Sequence, residues 1–589
     1  MSNQQIAKLF RNVVAAYSIK DEKKFHFQIL AYQTAAETIL NTTEEIKDLY
    51  KEGKLISLPG IGETIKGRIE ELFKKDHVAH FDWVLKGIPK SVFVLIEIPT
   101  IGPKKAYKLV KEFSLENPDE VIEKLIFKAK NGEIAKIPSF GEKSEQDILR
   151  ALLEYKTGKN KTARMVLPYA AEIAERIIAY LKKSSVIAEA VVLGSLRRMM
   201  PTVGDIDVAV ATNEPEKAIQ YFVSYPYKDR IVEKGPRTAS ILTSGGKQID
   251  LMVQPTEGFG ALLQHFTGSK AHNVHLREFA LKKGLSLSEK GIKNLKGKGQ
   301  KLKTYDSEEK FYSALGLSWI PPEIREDTGE IELAEQQNLP QLVELSDIKG
   351  DLHLHSDFPI EPSHDLGHNS LNEMAEYAKK LNYEYVGFSE HNPSISKHSK
   401  NDIYFLIARR NNLIEQIISS NKGIRILKLL EIDILTDGSL AINNNSLDLL
   451  DGAIVSIHSS FNTDKNEMTK RVIEGLSHPK AKILAHPTGR LLNKRPGYNL
   501  DFEKLFDFCK KNNKALEINS WPLRLDLPDS LIRQAVKYKI KMVINTDSHS
   551  LSEMNLMKYG VAMARRGWAE KCDIINTLPY EKLLDWFKK

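Results

Sequence analysis

The sequence has few cysteines and lacks long apolar segments, and these absences narrow the class of protein. It contains two cysteines, Cys509 and Cys572, which are too few for a disulfide framework or a thiolate zinc site. No apolar run approaches the roughly 20 residues that a membrane-spanning helix needs. The first residues lack the short apolar core and small-residue cleavage site of a secretory signal. We therefore expect a cytoplasmic protein with reduced thiols and no membrane partner.

The composition is that of a globular protein without a strong excess of one charge. Hydrophobic residues make up 42% of the chain and charged residues 28%, while the net charge is +8. These values exclude disordered and fibrous classes. Because domains usually contain about 100 to 200 residues, a chain of 589 residues should form several. We expect a multidomain protein that acts as a monomer.

Three glycine turns in the amino-terminal part share a frame of apolar residues. They read LPGIGETI, IPTIGPKKA and IPSFGEKS, and they interrupt a helical pattern that runs to about Tyr155. Glycines let the backbone approach a phosphate, and the next helix presents unpaired N–H groups to it. One such turn is often only a tight corner, but two with the same frame favour contact with a DNA backbone. The candidate contacts are Gly60, Gly62, Gly102, Lys104 and Lys105, while the turn at Gly141 keeps one glycine and is weaker.

A lysine-rich segment between Glu289 and Lys303 is predicted to be a flexible basic loop. It contains Lys290, Lys293, Lys296, Lys298, Lys301 and Lys303. A solvated loop is the simpler interpretation, and contact with a nucleic-acid backbone is favoured if a phosphate-handling site lies nearby.

Three aspartates form the first candidate metal site. In the string GSLRRMMPTVGDIDVAV, Asp205 and Asp207 point to one face because side chains alternate along a strand. Asp250, in KQIDLMV, supplies a third carboxylate from a neighbouring strand. Carboxylates so close repel each other unless a cation lies between them, and Mg²⁺ prefers such oxygen ligands. Two ions held here would activate a hydroxyl and clamp a transferring phosphoryl group.

The glycine-serine turn before these aspartates suits a nucleotide. Ser195, at the start of a helix, and Arg198 are placed to bind a triphosphate. An isolated DxD pair is a weak signal, whereas the order GS, RR, DxD and a third Asp indicates a nucleotidyltransferase.

Residues 1 to about 325 resemble family X DNA polymerases, the group that includes DNA polymerase beta. The match runs without gaps from Gly194 through Asp207, and FTGSKAHNVHLR from Phe266 resembles the family's nucleotide pocket. The resemblance implies a DNA-directed DNA polymerase that fills short gaps in repair, using dNTP, Mg²⁺ and gapped or nicked duplex DNA. It makes Asp205, Asp207 and Asp250 catalytic. It implies nucleotide contacts at Gly194, Ser195, Arg198, Gly204, Phe266, Gly268, Asn273 and Arg277.

The sequence departs from the family pattern at three positions. Met199 stands where the family usually has glycine, and Gln248 replaces a basic residue before the third aspartate. These changes could slow chemistry without removing a metal ligand. Arg68 occupies the position of the lysine that forms a Schiff base in the beta enzyme, and a guanidinium cannot act as that nucleophile. Lyase activity is therefore not expected.

Histidines and carboxylates at the ends of apolar runs form the second candidate site. A single buried histidine is more often structural, but many that end separate strands indicate metal ligands. Imidazole mixed with carboxylate suits manganese, zinc or iron better than magnesium, and two or three ions could be held. The candidate ligands are His353, His355, His391, Glu431, His458, His486, Asp547 and His549.

Residues from about 347 to 575 resemble the polymerase and histidinol phosphatase (PHP) domain. The resemblance implies one more ligand, Asp365, with His364 or Asp357 as rivals. The family's TDH is SEH here, and we expect coordination by His391 to survive this change. Arg490 and Arg524 follow strand ends and are candidates to grip a phosphate, although a salt bridge to Asp526 is an equal alternative for Arg524.

The implied PHP activity is metal-dependent phosphoester hydrolysis, with Mn²⁺ or Zn²⁺. In bacterial enzymes that combine both regions it is a 3′–5′ exonuclease, sometimes with 3′-phosphatase or abasic-site cleavage.

The predicted fold is a multidomain α/β protein. It has helical helix-hairpin-helix domains, a polymerase beta-like palm with a mixed sheet, and a distorted (β/α)7 barrel of PHP type. The acidic stretch PPEIREDTGEIELAEQ marks a domain boundary because it carries two adjacent prolines and no aromatic residue. The expected domains are 1–80 (helical, DNA-binding), 81–160 (helix-hairpin-helix), 161–256 (palm), 257–325 (nucleotide selection), 326–346 (linker) and 347–589 (PHP).

Two other functions remain open from the sequence. One is a small-molecule phosphatase fused to a template-independent nucleotidyltransferase, which the two glycine turns argue against. The other is a DNA-end binding scaffold with a weak polymerase, motivated by Met199 and Gln248.

Overall fold

The structure is a computed structural model that describes most of the chain. Residues 2, 42–45, 52, 59, 99–100, 157–163, 244–245, 296–300, 421–422 and 589 lie outside the described part, and with them Lys296 and Lys298 of the predicted basic loop. The chain divides into two compact units. Unit 1 contains residues 1–163 and 220–250, and unit 2 contains residues 164–219 and 251–589.

Helices that bury one apolar face build the amino-terminal part of unit 1. In α1, Ile6, Phe10, Val13 and Tyr17 recur at helical spacing and are buried. One core gathers residues between 6 and 84, and a second gathers residues between 92 and 152. The helices are α1 (Asn3–Asp21), α2 (His26–Asn41), α3 (Ile46–Lys51), α4 (Glu63–Lys75), α5 (Ala79–Leu85), α6 (Lys90–Leu95), α7 (Pro103–Glu112), α8 (Val121–Lys130) and α9 (Glu142–Lys156).

A mixed sheet follows in residues 165–254. Its elements are β1 (Met165–Val166), α10 (Leu167–Leu181), β2 (Glu189–Val192), α11 (Gly194–Arg197), β3 (Thr202–Val203), β4 (Ile206–Ala211), α12 (Pro215–Val223), β5 (Lys228–Lys234), β6 (Thr238–Thr243) and β7 (Gln248–Gln254). The five-stranded sheet has the order β2-β4-β7-β6-β5, and β1 pairs with β3. The division between the units passes through α12 and β7. In unit 2, β2 and β4 pair antiparallel, which brings the turn at Gly194 beside the start of β4.

Residues 255–346 of unit 2 pack around a core of their own. The elements are α13 (Phe259–Thr267), α14 (Lys270–Lys282), β8 (Leu285–Ser288), β9 (Gly291–Asn294), β10 (Leu302–Lys303), α15 (Glu308–Ala314) and α16 (Glu330–Glu335). This core includes Ile331, Ala334 and Leu342 from the expected linker. It also includes Trp568, a residue of the carboxyl-terminal region. The segment after Pro321 is therefore packed against its neighbours on both sides.

The carboxyl-terminal region is a parallel barrel, as predicted. Its strands are β11 (Gly350–Leu354), β12 (Tyr385–Phe388), β13 (Arg425–Lys428), β14 (Glu431–Asp433), β15 (Ala453–Ser456), β16 (Ala481–Leu484), β17 (Ala515–Asn519) and β18 (Met542–Asn545). Two residues separate β13 from β14, so we count them as one interrupted strand and the described barrel has seven strands. Parallel bridges Leu354–Ser548 and His391–Glu431 join the two sheets.

Helices surround the barrel strands, which are almost wholly buried. The helices are α17 (Leu371–Lys380), α18 (Lys400–Ser420), α19 (Asn444–Leu447), α20 (Lys465–Ser477), α21 (Phe502–Asn512), α22 (Asp529–Tyr538), α23 (Met557–Arg566) and α24 (Tyr580–Lys588). Among the residues that the structure describes, no helix has the length and apolar character to cross a membrane.

Candidate metal centres

The three predicted aspartates lie on strands of the mixed sheet. In unit 2, Asp205 immediately precedes β4 and Asp207 lies within it, while Asp250, the last residue of unit 1, lies in β7. Gln248 donates from Nε2 to both oxygens of Asp250, at 2.9 and 3.1 Å. A neutral amide therefore holds Asp250 where the family has a cation.

Gly194 lies against Asp207 in the turn that follows β2. Its φ is +57°, a conformation that favours glycine. A Cβ atom at this position would lie 2.7 Å from Oδ2 of Asp207. The backbone N–H of Leu193 donates to the Asp207 carbonyl at 2.8 Å, which fixes the turn to β4. A side chain at Gly194 would have to displace the Asp207 carboxylate.

We expect Gly194→Ala to reduce primer extension by roughly 100-fold, because a displacement of about 1 Å of a reacting group has an effect of that size. The Asp207 side chain can rotate away, so the protein should stay folded. Single-turnover extension of a gapped duplex measures the effect. Gly329→Ala is the matched control, because Gly329 has φ +108° and open space around its Cβ position. An equal loss in both variants would show that backbone strain alone is responsible.

The predicted nucleotide residues of unit 2 cluster around Arg198. Its Nη1 donates to the Thr267 carbonyl at 2.5 Å, and a Cβ at Gly268 would lie 3.1 Å from the same nitrogen. Gly268 ends α13, and Ser195 lies in the first turn of α11. The structure thus brings the glycine-serine turn and the end of α13 together.

Other predicted nucleotide residues are fixed by their neighbours. Asn273 donates to the His265 carbonyl at 2.7 Å and accepts from Gln264 at 2.8 Å. Arg277 Nη2 lies 3.4 Å from His265 Nδ1, and the ring of Phe266 packs edge-on against His265. Gly204 lies near Arg164, whose Nη1 would be 3.3 Å from a Cβ there.

Met199 adopts the backbone conformation that explains the family's glycine. Its φ is +53°, in the left-handed region where a side chain is strained. The next N–H, of Met200, donates to the Ser195 carbonyl at 2.9 Å and closes the turn. The turn is kept although the residue is not glycine.

Arg197 is part of a buried charge network rather than a nucleotide contact. Its guanidinium donates to both carboxylate oxygens of Glu308, at 3.0 and 2.6 Å. Arg325, which is fully buried, donates to the same carboxylate at 2.6 Å. Burial disfavours the charged form, but Arg325 and Arg197 lower the pKa of Glu308 to about 2.

Glu308→Gln should lower the free energy of unfolding by roughly 3 kcal/mol at pH 7, because it leaves two buried guanidinium groups short of a counter-charge. The pKa of Glu308 is depressed in the folded protein. Its contribution is therefore present above the usual carboxyl pKa of 4.5 and is lost as the pH falls toward 2. Urea unfolding of both proteins at pH 7 and pH 3 measures this. The exposed Glu309→Gln is the control, and an unchanged difference at the two pH values would contradict the assignment.

The glycine turns of unit 1 open helices as predicted. Gly62 is the residue before α4, and Gly102 precedes α7, whose first turn carries Lys104 and Lys105. Gly60 has φ +75°, and a Cβ there would lie 2.5 Å from a methyl group of Thr34. Lys104 forms an exposed ion pair with Glu22, and a phosphate could take the place of the Glu22 carboxylate. Both turns present helix N–H groups to an anion.

Arg68 lies in α4, with Nη1 3.6 Å from a carboxylate oxygen of Glu71. Burial and then the charge of Arg68 lower the pKa of the nearby His80, whose Nε2 lies 2.6 Å from the Tyr17 hydroxyl. The guanidinium offers no nucleophile.

In the barrel, the predicted ligands converge on Glu431. One of its oxygens lies 2.9 Å from His486 Nε2 and 3.5 Å from His458 Nε2. The other lies 3.2 Å from His353, 3.6 Å from His355 and 3.0 Å from His391. Because the carboxyl ends of the strands meet at one end of a barrel, residues from 353 to 549 share one site.

The donor atoms around Glu431 fall into groups of ion-binding size. His353, His355, Glu431 and Asp547 form one group, and His355, His391 and His549 form another. His391, Glu431 and His458 also lie within reach of one ion. His486 joins the side of Glu431 that faces His458.

Buried atoms without hydrogen-bond partners test whether metal ions fit here. Such atoms are costly to bury unless they bind something. Within the described residues, they include His353 Nε2, both ring nitrogens of His355, His391 Nδ1, His549 Nε2 and Glu431 Oε2. This donor set fits divalent cations bound by imidazole and carboxylate.

Burial and neighbouring charges shift the pKa values of the cluster in opposite directions. Burial disfavours charge, but Glu431 and Asp365 raise the pKa of His391 to about 10. Burial, with Arg524 nearby, lowers the pKa of His486 to about 4. Despite burial, His391 and His353 hold the pKa of Glu431 well below its ordinary value. Glu431 is therefore an ionised carboxylate.

Two of the three rivals for the remaining ligand reach the cluster. The oxygens of Asp365 lie 3.3 Å from His391 Nε2 and 3.5 Å from His549 Nε2, with 73% of its side chain exposed. His364 lies 3.2 Å from Asp433, and both form a group of ion-binding size with His458. The backbone of Asp357 donates to the Asn369 carbonyl, and its side chain is exposed. Asp365 stays the predicted ligand.

Sequence reasoning missed the carboxylates that orient the ligands. Glu517 Oε1 lies 2.7 Å from Nδ1 of His353, and Asp433 Oδ1 lies 2.7 Å from Nδ1 of His458. Each leaves Nε2 directed at Glu431. Such contacts fix the ring and its tautomer. Their only sequence signal was a position in or beside a barrel strand.

The altered SEH motif keeps its histidine in the cluster. Glu390 accepts from Arg410 at 2.5 Å and from the Ser356 hydroxyl at 2.5 Å, and all three residues are buried. The longer acid is thus paired with Arg410 and Ser356. His391 remains beside Glu431, and coordination by His391 stays a prediction.

The two arginines differ in their surroundings. Arg490 donates to the backbone carbonyls of Arg524 and Leu525, which makes it a structural residue. Arg524 lies 3.5 Å from Asp547 and faces the cluster, rather than forming the alternative salt bridge with Asp526. Asp526 accepts from Thr488 and Gly489. Arg524 is the better phosphate candidate.

Three family models match segments of the chain. Residues 1–78 match a helix-hairpin-helix domain, residues 262–326 match the DNA polymerase beta thumb, and residues 351–521 match the PHP domain. The first match includes the glycine turn at Gly60, and the second includes Thr267 and Glu326, the partners of Arg198. The third includes most of the candidate barrel ligands.

Similar proteins cover different parts of the chain. DNA polymerase/3′-5′ exonuclease PolX of Bacillus subtilis is 32% identical over 578 residues, which is 98% of this chain and 97% of that protein. DNA polymerase lambda of Rattus norvegicus is 23% identical, over 55% of this chain and 56% of that protein. A probable phosphatase of Acetivibrio thermocellus is 28% identical, over 34% of this chain and 78% of that protein.

Proposed function

This chain belongs to the family X DNA polymerases that carry a PHP domain, and on that premise we propose that it fills short gaps in DNA and trims 3′ ends. It acts as a DNA polymerase at the aspartates and as a 3′–5′ exonuclease in the barrel. The observation that carries the proposal is that one chain contains both the aspartates and the histidine cluster. That chain matches a polymerase/exonuclease over nearly its full length. Gapped or nicked duplex DNA with a 3′ end, and dNTP, are the proposed substrates.

At the polymerase site, Asp205, Asp207 and Asp250 would hold Mg²⁺, which when bound supplies charge neutralisation and a lower hydroxyl pKa. Arg198 and Ser195 would bind the triphosphate, and Gly194 leaves room for the Asp207 carboxylate. Phe266, Gly268, Asn273 and Arg277 would border the nascent base pair. The glycine turns would hold the DNA backbone without reading its sequence.

At the barrel site, the histidine cluster with Glu431, Asp365 and Asp547 would hold two or three Mn²⁺ or Zn²⁺ ions, which supply hydroxide near neutral pH. Arg524 would orient the scissile phosphate. Glu517 and Asp433 would keep their histidines in the ligating tautomer. Since the substrate is DNA, the cytoplasm is the proposed compartment, and the monomer is the proposed state.

A gapped duplex labelled at the primer 5′ end tests the proposal. With dNTP and Mg²⁺ we expect the primer to lengthen until the gap is filled, and with Mn²⁺ and no dNTP we expect it to shorten stepwise. Chelation should stop both reactions. Extension of single strands without a template would contradict gap filling.

The similarity of the barrel to probable phosphatases keeps a small-molecule phosphatase as the second candidate. Hydrolysis of p-nitrophenyl phosphate or histidinol phosphate with no shortening of DNA would favour it. Binding of gapped DNA with neither reaction would favour a scaffold.

A further inference from the structure

Arg566 links the PHP barrel to the polymerase nucleotide turn within unit 2. It is the last residue of α23, and its side chain is 2% exposed. Its Nη1 donates to the backbone carbonyl of Arg198 at 2.7 Å. A barrel residue therefore contacts the residue that the proposed function assigns to the triphosphate.

Glu326 connects the two arginines a second time. Its Oε1 accepts from Nε of Arg198 at 3.0 Å and from Nη1 of Arg566 at 3.1 Å. Two guanidinium groups this close repel each other, and the shared carboxylate offsets that repulsion. Glu326 thus has a fixed position between a polymerase residue and a barrel residue.

The barrel holds Arg566 from its other side. Nη2 of Arg566 donates to Asp529, in the first turn of α22, at 2.5 Å. The end of α23 also favours a cation, because helix carbonyl groups point toward it. Arg566 is anchored in the barrel before it reaches Arg198.

The contacts of Arg198 show what this anchoring could control. Glu326 and the Thr267 carbonyl engage its Nε and Nη1. Neither of these hydrogen bonds involves Nη2 of Arg198. Among the described residues, this nitrogen is therefore left for a phosphate oxygen. The direction of Nη2 depends on the position of Glu326, and that position depends on Arg566.

We propose that Arg566 of the PHP barrel is a positioning residue for the polymerase reaction, which sets dNTP affinity by fixing Arg198 through Glu326. The proposal rests on the proposed role of Arg198 as a triphosphate contact. If Arg566 acts in this way, the barrel contributes to the nucleotide site in addition to its own hydrolytic reaction.

Arg565 provides a matched control from the same helix. It pairs with Glu323 at 2.7 Å and donates to the Val343 carbonyl at 3.1 Å. It lies in the same contact between barrel and polymerase regions but touches neither Arg198 nor Glu326.

The test measures single-nucleotide gap filling by the full-length protein as a function of dNTP concentration. We expect Arg566→Gln to raise KM for dNTP roughly tenfold, the effect of losing one charge-assisted hydrogen bond, with kcat within about twofold. Arg565→Gln should change KM less than about twofold. Trimming of the same DNA in Mn²⁺ should be unchanged in both variants. Arg566→Lys keeps the positive charge but lacks the planar guanidinium. Its KM for dNTP should lie between that of the wild type and that of Arg566→Gln.

Two further variants keep the test decisive. Glu326→Gln removes the shared charge from a partly exposed position and should raise KM as Arg566→Gln does, even if the latter folds poorly. Arg198→Gln should raise KM at least as much, and adding Arg566→Gln to it should raise KM no further.

An unchanged KM in both Arg566→Gln and Glu326→Gln would overturn the inference, as would an equal rise in Arg565→Gln. If Arg198→Gln itself leaves KM unchanged, the assignment of Arg198 to the triphosphate is wrong, and the proposed nucleotide site fails instead.

Discussion

Asp205→Ala should abolish primer extension, with a loss of roughly 1000-fold or more, because it removes a charge that acts on the transferring phosphoryl group. Asp205 is one of the carboxylates that would hold Mg²⁺, so its loss should also weaken metal binding. Single-turnover extension of a gapped duplex in Mg²⁺ measures the rate.

The same variant should still trim 3′ ends in Mn²⁺, since the donor cluster of the barrel is unchanged. Asp229→Ala, at an exposed position of β5, is the control for the substitution itself. If Asp205→Ala lost trimming as well as extension, the two reactions would share a centre and the assignment of separate sites would be wrong.

Glu431→Gln should abolish trimming by a similar factor, roughly 1000-fold, while extension continues. Glu431 faces five imidazoles with an ionised carboxylate, which would offset the charge of cations held among them. A neutral amide would supply no such charge to the cations that the cluster would hold. The experiment measures nuclease rate on a labelled duplex and bound metal by elemental analysis, and both should fall together.

Glu503→Gln is the control, because Glu503 lies exposed on α21. Full metal content in Glu431→Gln with no trimming would show a role in chemistry beyond binding. Full trimming would remove Glu431 from the site.

The convergence of the barrel histidines was predictable because it follows from strand ends. His353, His458 and His486 each lie in or just after an apolar strand, and parallel strands end together. The orienting carboxylates were not predictable. Glu517 lies within β17 and looks like any buried strand residue, and only its distance to His353 Nδ1 reveals its role. A sequence does not show which ring nitrogen of a histidine contacts the orienting carboxylate and which faces the candidate metal site.

The remaining ambiguities came from irregular backbone. Asp365 lies in a loop with no periodicity, so the sequence favoured it without excluding Asp357 or His364, and in the structure this loop brings Asp365 to His391 and His364 to Asp433. The residue at 199 was noted as unusual, but the reason for glycine at that position is the positive φ, which appears only in the structure.

Trp568 has a consequence for attempts to separate the two halves of the enzyme. This barrel residue completes a core with Ile324, Ile331 and Leu342, residues at and beyond the acidic stretch that looked like a connector. A polymerase fragment cut after residue 346 would leave that core open to water, and a barrel fragment would expose an indole. We therefore expect the separately expressed halves to be unstable and prone to aggregation, because each would expose part of this core to water.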